Sequence, residues 1–209
     1  MKDYKSVIGE TVTEYVVERS RFITHLCAIG DEDGAKAYVA KIKKEHSLAT
    51  HNCYAYIADE TGNVQKFSDD GEPQGTAGMP MLEVLRVSGL KKCAVVVTRY
   101  FGGIKLGAGG LVRAYAKAVS DGVKAAKVAL YRVCEYRSAI ADYEYYPKIL
   151  KFSESKKYKI IDTQFSEAAE VKFAVPRESL SAFMKDFADY FGGRLKTESK
   201  GSGYYAFEE

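Results

Sequence analysis

Apolar and polar positions along the chain follow two different periods, and the change of period separates predicted strands from predicted helices. Residues 94–98 form a short continuous apolar run rich in β-branched side chains, which is typical of a buried strand. From Leu111 onward, apolar side chains recur three and four positions apart, which predicts a helix that continues to about Lys127. Between these two segments, residues 102–110 contain five glycines, which predicts a loop with unusual backbone geometry.

The same periods predict two hairpins and two helices before the glycine-rich loop. In order, these elements are strands at 7–17 (with a kink at Gly9) and 22–29, a helix capped by Asp31, strands at 51–58 and 64–68, and a helix that begins near Pro80 and ends at Gly89. The second hairpin is followed by a polar loop at residues 69–78, which contains three glycines and a proline. Irregular loops on a rigid scaffold often carry function.

The pattern changes near Cys134, where we place a boundary between two domains, residues 1–134 and residues 135–209. The later part predicts strands at 136–145, 158–165, 169–175 and 194–207, with helices at 146–157 and 176–191. This order, βαββαβ, is typical of a ferredoxin-like domain. Both predicted domains are therefore of the α+β class.

Composition indicates a globular protein of the reducing cytoplasm. Of 209 residues, 46% are hydrophobic and 28% are charged, and no apolar run approaches the roughly 20 residues that span a membrane. The first residues lack the apolar core of a secretion signal, which argues against export. The four cysteines are scattered without a CxxC pair, which argues for buried thiols and against structural zinc.

Charge is unevenly distributed between the two predicted domains. Residues 1–134 hold 19 basic and 15 acidic side chains, whereas residues 135–209 hold 12 and 13. The net charge of +3 is too small to predict nucleic-acid binding by itself, but its excess lies in the domain that carries the glycine loop. An anionic partner for that domain is therefore a reasonable hypothesis.

A strand, a glycine loop and a helix N-terminus together present backbone N–H groups in the way that proteins use to hold anions. The candidate anion-binding or nucleic-acid-binding residues are Arg99, Lys105, Gly107, Gly109, Gly110, Arg113 and Lys117. The helix extends this surface with a basic stripe formed by Arg113, Lys117, Lys124 and Lys127. The alternative interpretation is a tight structural crossover followed by an ordinary solvated helix face.

Standard nucleotide motifs are missing from the glycine loop. A P-loop requires Lys and then Ser or Thr after its last glycine, but Gly110 is followed by Leu111. A dinucleotide fingerprint that begins at Gly107 would need a glycine at position 112, which is Val112. The sequence therefore argues against a nucleotide kinase and predicts no cofactor.

A second group of polar residues lies on the predicted strand at 51–58 and in the polar loop. Thr50 and His51 with Asp69, Asp70 and Glu72 could serve acid–base chemistry. His51 and Cys53, with His46 nearby in sequence, could bind a metal. The favoured interpretation is a polar cluster that braces the two loops. We therefore assign no catalytic residue and no metal ligand, and an enzymatic activity is the less favoured alternative.

Three segments together resemble the IMPACT/YigZ family. They are ATHNCYAY at 49–56, DDGEPQGTAG at 69–78 and RYFGGIKLGAGGLVRAY at 99–115, the last of which is long and family-specific. The resemblance covers roughly residues 15–128, and the later part is similar to the small C-terminal domain of bacterial members. It implies a first domain of the ribosomal-S5 type, like domain IV of elongation factor G, and a second, ferredoxin-like domain similar to domain V of that factor.

The resemblance also implies a field of activity. Eukaryotic members regulate translation by binding the activator of a kinase that phosphorylates an initiation factor, but they carry an extra domain that this chain lacks. For bacterial members the family implies a role in translation or nucleic-acid binding. The predicted function is therefore a translation-associated regulator that binds RNA or the ribosome through the basic glycine-loop surface.

Two alternatives remain beside this function. One is a protein-interaction module that regulates a stress-response factor through a protein partner, as in the eukaryotic relatives. The other is a phosphate-handling enzyme, because small-molecule kinases of the GHMP type share the S5-type fold. The segment 107–110 is similar to their phosphate loop but lacks its serines, and the chain is shorter than such kinases.

Overall fold

The computed structural model describes residues 1–208 and shows a mixed α+β fold. In chain order, the elements are β1 (Tyr4–Val7), β2 (Glu10–Val17), β3 (Ser20–Ala28), α1 (Glu32–Glu45), β4 (His51–Ile57), β5 (Gln65–Ser68), α2 (Gly78–Val87), β6 (Cys93–Tyr100), α3 (Gly107–Ala125), β7 (Val128–Ala141), α4 (Tyr146–Lys156), β8 (Lys159–Phe165), β9 (Ala169–Pro176), α5 (Leu180–Phe191) and β10 (Thr197–Glu208). The chain divides into two units, residues 1–130 with the chain end from residue 207, and residues 131–206. Within the described residues, no helix is both long enough and apolar enough to cross a membrane.

The first unit is built on a five-stranded sheet with the order β2–β3–β6–β4–β5, in which every neighbouring pair is antiparallel. Helices α2 and α3 pack on one face and α1 packs on the other. In the central strand β6, Val95 and Val97 join the core under α2 and α3, whereas Ala94 and Val96 join the core under α1. Because both faces are covered, the strand is continuously apolar, as the sequence predicts.

The hairpin of β2 and β3 packs closely against the glycine loop. Its two turn residues, Glu18 and Arg19, have φ values of 45° and 61°, the left-handed geometry of a tight two-residue turn. Gly102 lies directly on this turn, because a Cβ added there would come within 2.0 Å of the Arg19 carbonyl carbon. The Gly102 N–H also donates a hydrogen bond of 3.1 Å to Ser20 Oγ.

Helix α3 begins in the glycine loop with its first turn open. Gly107 has a φ of +69°, and no side chain in residues 1–208 caps the helix at Leu106. By contrast, α1 is capped by Asp31, whose Oδ1 accepts a hydrogen bond of 2.8 Å from the Gly34 N–H, which confirms that prediction. The backbone N–H groups of the first turn of α3 therefore remain available to a ligand.

The second unit has the element order β7, α4, β8, β9, α5, β10, and its strands are ordered β10–β7–β9–β8 in the sheet. Its core is largely aromatic; for example, the ring centroids of Phe152 and Phe187 are 5.3 Å apart. Helix α5 begins at Leu180, later than predicted, because Pro176 ends β9 and a short 3-10 turn follows.

The strand that contains Cys134 differs in extent from the sequence-based expectation. The sequence predicts a strand that begins at Tyr136, whereas β7 runs without a break from Val128 to Ala141. No glycine or proline lies in this segment, so nothing in its local chemistry interrupts the strand. The two units divide between Leu130 and Tyr131.

Candidate functional site

The polar loop at residues 69–78 is organised around the Asp69 carboxylate. Its oxygens accept hydrogen bonds of 2.8, 3.0 and 2.8 Å from the backbone N–H groups of Gly75, Ala77 and Gly78. Burial acts to raise the pKa of Asp69, but the three N–H donors outweigh it and lower the pKa below its ordinary value. Asp69 therefore carries a negative charge, and its carboxylate stabilises the conformation of its own loop through these three hydrogen bonds.

Asp70 joins the polar loop to β4 and α1. Its carboxylate accepts a hydrogen bond of 2.7 Å from the Asn52 N–H and lies 2.5 Å from Lys43 Nζ. Its main-chain carbonyl lies 2.8 Å from His51 Nδ1. Because a carbonyl only accepts, Nδ1 must be the donor, and this contact fixes the orientation of the His51 ring.

A buried ion pair lies beneath the polar loop. Arg99 Nη1 donates a hydrogen bond of 2.7 Å to Glu72 Oε1, and only 6% and 3% of the two side chains are exposed. The same oxygen accepts a hydrogen bond of 2.7 Å from the Tyr115 hydroxyl, whose pKa is raised chiefly by burial. The Arg99 guanidinium lies between the rings of Phe22 and Phe101, at 5.3 and 5.5 Å from their centroids. Arg99 therefore lies in the interior.

The structure brings His51, Asp69, Asp70 and Glu72 into one cluster, and His51 Nε2 lies 3.8 Å from Glu72 Oε2. Cys53, behind this cluster, donates its thiol hydrogen to the main-chain oxygen of Asp69 over 2.9 Å. Burial raises the pKa of this thiol to about 12, so it is a poor nucleophile at neutral pH. In residues 1–208, no group of three or more His, Cys, Asp or Glu side chains is placed to hold a metal ion.

Two cavities flank the glycine loop on different sides of α3. We call the first the loop pocket; it has a volume of about 350 Å³ and is lined by Thr50, His51, Glu72, Pro73, Arg99, Phe101, Lys105, Leu106, Gly107, Ala108 and Leu111. We call the second the basic groove; it has a volume of about 590 Å³ and is lined by Tyr15, Val17, Glu18, Ile104, Lys105, Leu106, Gly110, Arg113, Ala114 and Lys117. Lys105 and Leu106 separate the two cavities.

The basic groove gathers three of the four cations in the predicted anion-binding set. Lys105 and Arg113 are exposed, and neither has an ion-pair partner among the residues that the structure describes. Lys117 pairs with Asp121 at 2.7 Å, and its Nζ lies 5.0 Å from the centroid of the Tyr15 ring. The fourth cation, Arg99, belongs to the loop pocket instead.

Three glycines of the predicted set lie in the first turn of α3, and one of them is not required by the internal packing. A Cβ added at Gly109 would meet only Arg113 Nη1, at the ordinary contact distance of 3.6 Å. Gly110 is tighter, because a Cβ there would lie 3.0 Å from Leu106 Cβ. Glycine inside a helix lowers the free energy of unfolding by roughly 0.5–1 kcal/mol relative to alanine. Gly109 therefore destabilises the protein although the packing around it does not require a glycine.

Residues from the β2–β3 hairpin complete the groove, and their sequence context predicts no role for them. Tyr15 and Glu18 come from a segment far from the glycine loop along the chain. They reach the groove because the hairpin turn packs on Gly102 and because Tyr15 packs against the core under α3. Tyr115 is buried, as its helical spacing predicts, but the apolar spacing does not reveal its hydroxyl contact with Glu72.

A pair of histidines on the opposite face of the sheet predicts acid sensitivity. His25 is buried with Nε2 unpartnered among residues 1–208, and its ring centroid lies 4.9 Å from that of His46. Burial and the nearby His46 lower the pKa of His25, whereas Glu10 and Glu45 oppose this and Lys41 adds to it. As the pH falls, His25 therefore takes up its proton at a higher pH in the unfolded chain than in the folded protein.

We expect the free energy of unfolding to decrease as the pH falls below about 6.5, the ordinary pKa of histidine. Above that pH, His25 is neutral in both states and contributes no pH dependence. Urea unfolding at pH 7.5 and pH 5.5 measures this change, and His25→Leu is expected to flatten part of it. An equal pH dependence in the wild type and His25→Leu would show that His25 is not responsible.

Two family models match different parts of the chain. The family model of the Impact N-terminal domain matches residues 18–123, and that of a domain of unknown function (DUF1949) matches residues 140–194. The chain is similar to a solved structure described as a hypothetical protein, with 32% identity and a TM-score of 0.61, over 94% of this chain and 97% of the other.

Curated relatives include bacterial and vertebrate proteins. The chain is 44% identical to the IMPACT family member YvyE of Bacillus subtilis, over 87% of this chain and 83% of the relative. It is 35% identical to the IMPACT family member YigZ of Escherichia coli, over 89% and 92% respectively. Protein IMPACT of Rattus norvegicus is 38% identical over 47% of this chain and 31% of its own length. The chain therefore belongs to the IMPACT family.

Proposed function

We propose that this protein is a translation-associated regulator that binds RNA or the ribosome through the basic groove. The observation that carries the proposal is the convergence of Lys105, Arg113 and Lys117 on one groove beside the uncapped N-terminus of α3. Phosphate groups are held by such a combination of cations and backbone N–H donors. Glu18 is the one acidic side chain that lines the groove, so its lining charge is net positive.

The open first turn of α3 supports the same proposal. Gly109 and Gly107 are exposed, and a Cβ at either position would meet no backbone atom from outside its own helix and its chain neighbours within 4 Å. Absence of these side chains lets a phosphate backbone approach the helix N–H groups closely. Retention of a destabilising glycine at position 109 is then explained by binding.

The ribosomal target is favoured by the kind of fold that we propose for each unit. We propose that the first unit is of the ribosomal-S5 type, like domain IV of elongation factor G. The second is proposed to be ferredoxin-like, which the element order and the strand order β10–β7–β9–β8 support. We keep the proposed domain boundary near Cys134. The thiols of Cys27, Cys53 and Cys93, which form no disulfide within the described residues, support a cytoplasmic site of action.

Co-sedimentation with purified ribosomes tests this function. We expect the double variant Lys105→Glu/Arg113→Glu to bind at least tenfold more weakly than the wild type, because each reversal replaces an attraction to phosphate with a repulsion. The effect is expected on many RNA sequences, since contacts to the backbone carry no sequence code.

The matched control is Lys124→Glu/Lys127→Glu, which makes the same charge change at exposed positions. These two members of the predicted basic stripe do not line the groove. We expect its binding to stay within about twofold to threefold of the wild type at 0.15 M salt, where the screening length is about 8 Å. Equal weakening by the two double variants would assign the binding to overall charge, and sedimentation of no variant, wild type included, would reject the proposed function.

A further inference from the structure

The loop pocket is a separate cavity that RNA binding in the basic groove leaves unexplained. Its volume of about 350 Å³ falls in the range of small-molecule sites, which is roughly 300–1,000 Å³. It is reached from a different side of α3, because Gly107, Ala108 and Leu111 line it, whereas Gly110, Arg113 and Lys117 line the basic groove. Lys105 is the one cation that lines both cavities.

We propose that the loop pocket binds a small organic anion, a carboxylate or a phosphate monoester that carries an apolar group. The anionic end would contact the backbone N–H groups at Gly107 and Ala108, where α3 begins without a side-chain cap in the described chain. Lys105, exposed at the same end of the pocket, supplies a full positive charge. These groups form one recognition element for a single negative charge.

Arg99 adds a buried positive charge to the wall of the pocket. Its side chain lines the pocket while 94% buried, Nη1 donates to Glu72 Oε1, and Nη2 lies 3.5 Å from Ser20 Oγ. Its Nε has no hydrogen-bond partner in residues 1–208. Burial of an unpaired N–H of a charged group is unfavourable by about 1–3 kcal/mol or more, so such groups concentrate where function requires them.

The remaining walls define the rest of the ligand. Phe101, Leu106 and Leu111 present apolar surface, which favours a ligand with an apolar body over inorganic phosphate. On the other side, Glu72 Oε2 lies 3.8 Å from His51 Nε2, and both atoms belong to pocket-lining side chains. A hydroxyl or amino group on the ligand could donate to the Glu72 carboxylate, whose second oxygen accepts from Arg99 and Tyr115.

A terminal phosphate of RNA shares the anion chemistry, but the lining of the pocket favours a free small molecule. Backbone phosphates are followed along polar grooves, whereas the loop pocket has a smaller volume and mostly apolar walls. The chemistry of the site is therefore closer to that of a metabolite site than to that of a nucleic-acid track.

The test is a titration of the isotope-labelled full chain, followed by amide NMR, with phenyl phosphate, benzoate and inorganic phosphate as probes. We expect phenyl phosphate or benzoate to shift the Gly107 and Ala108 amides saturably, at least threefold more tightly than inorganic phosphate. The variant Ala108→Asp is expected to weaken this binding at least tenfold, because its carboxylate repels the anion at the same N–H groups. Its fold is preserved, because an acidic side chain in the first turn stabilises a helix.

Two further measurements distinguish binding in the loop pocket from binding in the basic groove. Arg113→Glu is expected to leave phenyl phosphate binding within twofold of the wild type, even if it abolishes RNA binding. A 5′-phosphorylated trinucleotide is expected to shift the Gly107 and Ala108 amides no more tightly than phenyl phosphate. Tighter binding of the trinucleotide there would reassign the pocket to RNA ends. Absence of saturable shifts with both organic probes, or equal shifts in Ala108→Asp, would overturn the proposal.

Discussion

Replacement of Glu72 with alanine is expected to lower the free energy of unfolding by about 3–5 kcal/mol, the typical effect of removing one partner of a buried ion pair. The variant leaves Arg99 charged in the interior, with 6% of its side chain exposed and its main acceptor lost. Tyr115 loses its acceptor as well. Urea unfolding at neutral pH, followed by far-ultraviolet circular dichroism, measures the change.

The control for this prediction is Glu72→Gln, which retains an acceptor for Tyr115 and for Arg99 but removes the negative charge. We expect it to be less destabilising than Glu72→Ala, since fewer buried donors lose their partners. If Glu72→Ala changed the free energy of unfolding by less than about 1 kcal/mol, in the range of exposed ion pairs, the interior position of this pair would be contradicted.

The second large effect is expected at Gly102. A Cβ at this position would lie 2.0 Å from the Arg19 carbonyl carbon and 2.4 Å from the Ser20 backbone nitrogen. Both are main-chain atoms, so the hairpin turn and the glycine loop would have to separate. We expect Gly102→Ala to destabilise the protein by about 3 kcal/mol, the upper end of the usual effect of overpacking. Thermal unfolding of the full chain checks the loss.

Gly109→Ala is the matched control in the same loop. Its Cβ fits without a clash, since the nearest atom outside the helix backbone is Arg113 Nη1 at 3.6 Å. We therefore expect stabilisation by about 0.5–1 kcal/mol, the difference between glycine and alanine in a helix. Destabilisation of Gly109→Ala as large as that of Gly102→Ala would contradict the packing described for the loop.

Much of the fold could be predicted because its elements carry strong local signals. The apolar run of β6 and the helical spacing of α3 appear in the structure as predicted, and Asp31 caps α1. The element boundaries were less predictable where the chain lacks such signals. Nothing in the sequence near Cys134 marks the start of the strand, which was predicted at Tyr136, and β7 begins at Val128.

The position of Arg99 could not be read from its neighbours in sequence. A cation beside a glycine loop looks like part of an exposed anion site, but Arg99 lies on the central strand opposite Phe22 on β3 and His51 on β4. Its partner Glu72 comes from a loop 27 residues away in the chain. Burial of this charge thus depends on long-range pairing, which local patterns do not contain. Lys105 and Arg113, which lie outside the sheet, are exposed as their sequence context predicts.

The proposed function depends on phosphate contacts in the basic groove, and the salt dependence of ribosome binding measures those contacts directly. Affinity is determined between 50 and 300 mM potassium chloride for the wild type and for Lys105→Gln/Arg113→Gln, which removes two charges without adding repulsion. Each lost contact to a phosphate is expected to reduce the slope of log affinity against log salt by about 0.7–0.9. A slope shallower by about 1.4–1.8 in the double variant is the predicted result. Equal slopes for the two proteins would contradict the proposal that the groove binds phosphate.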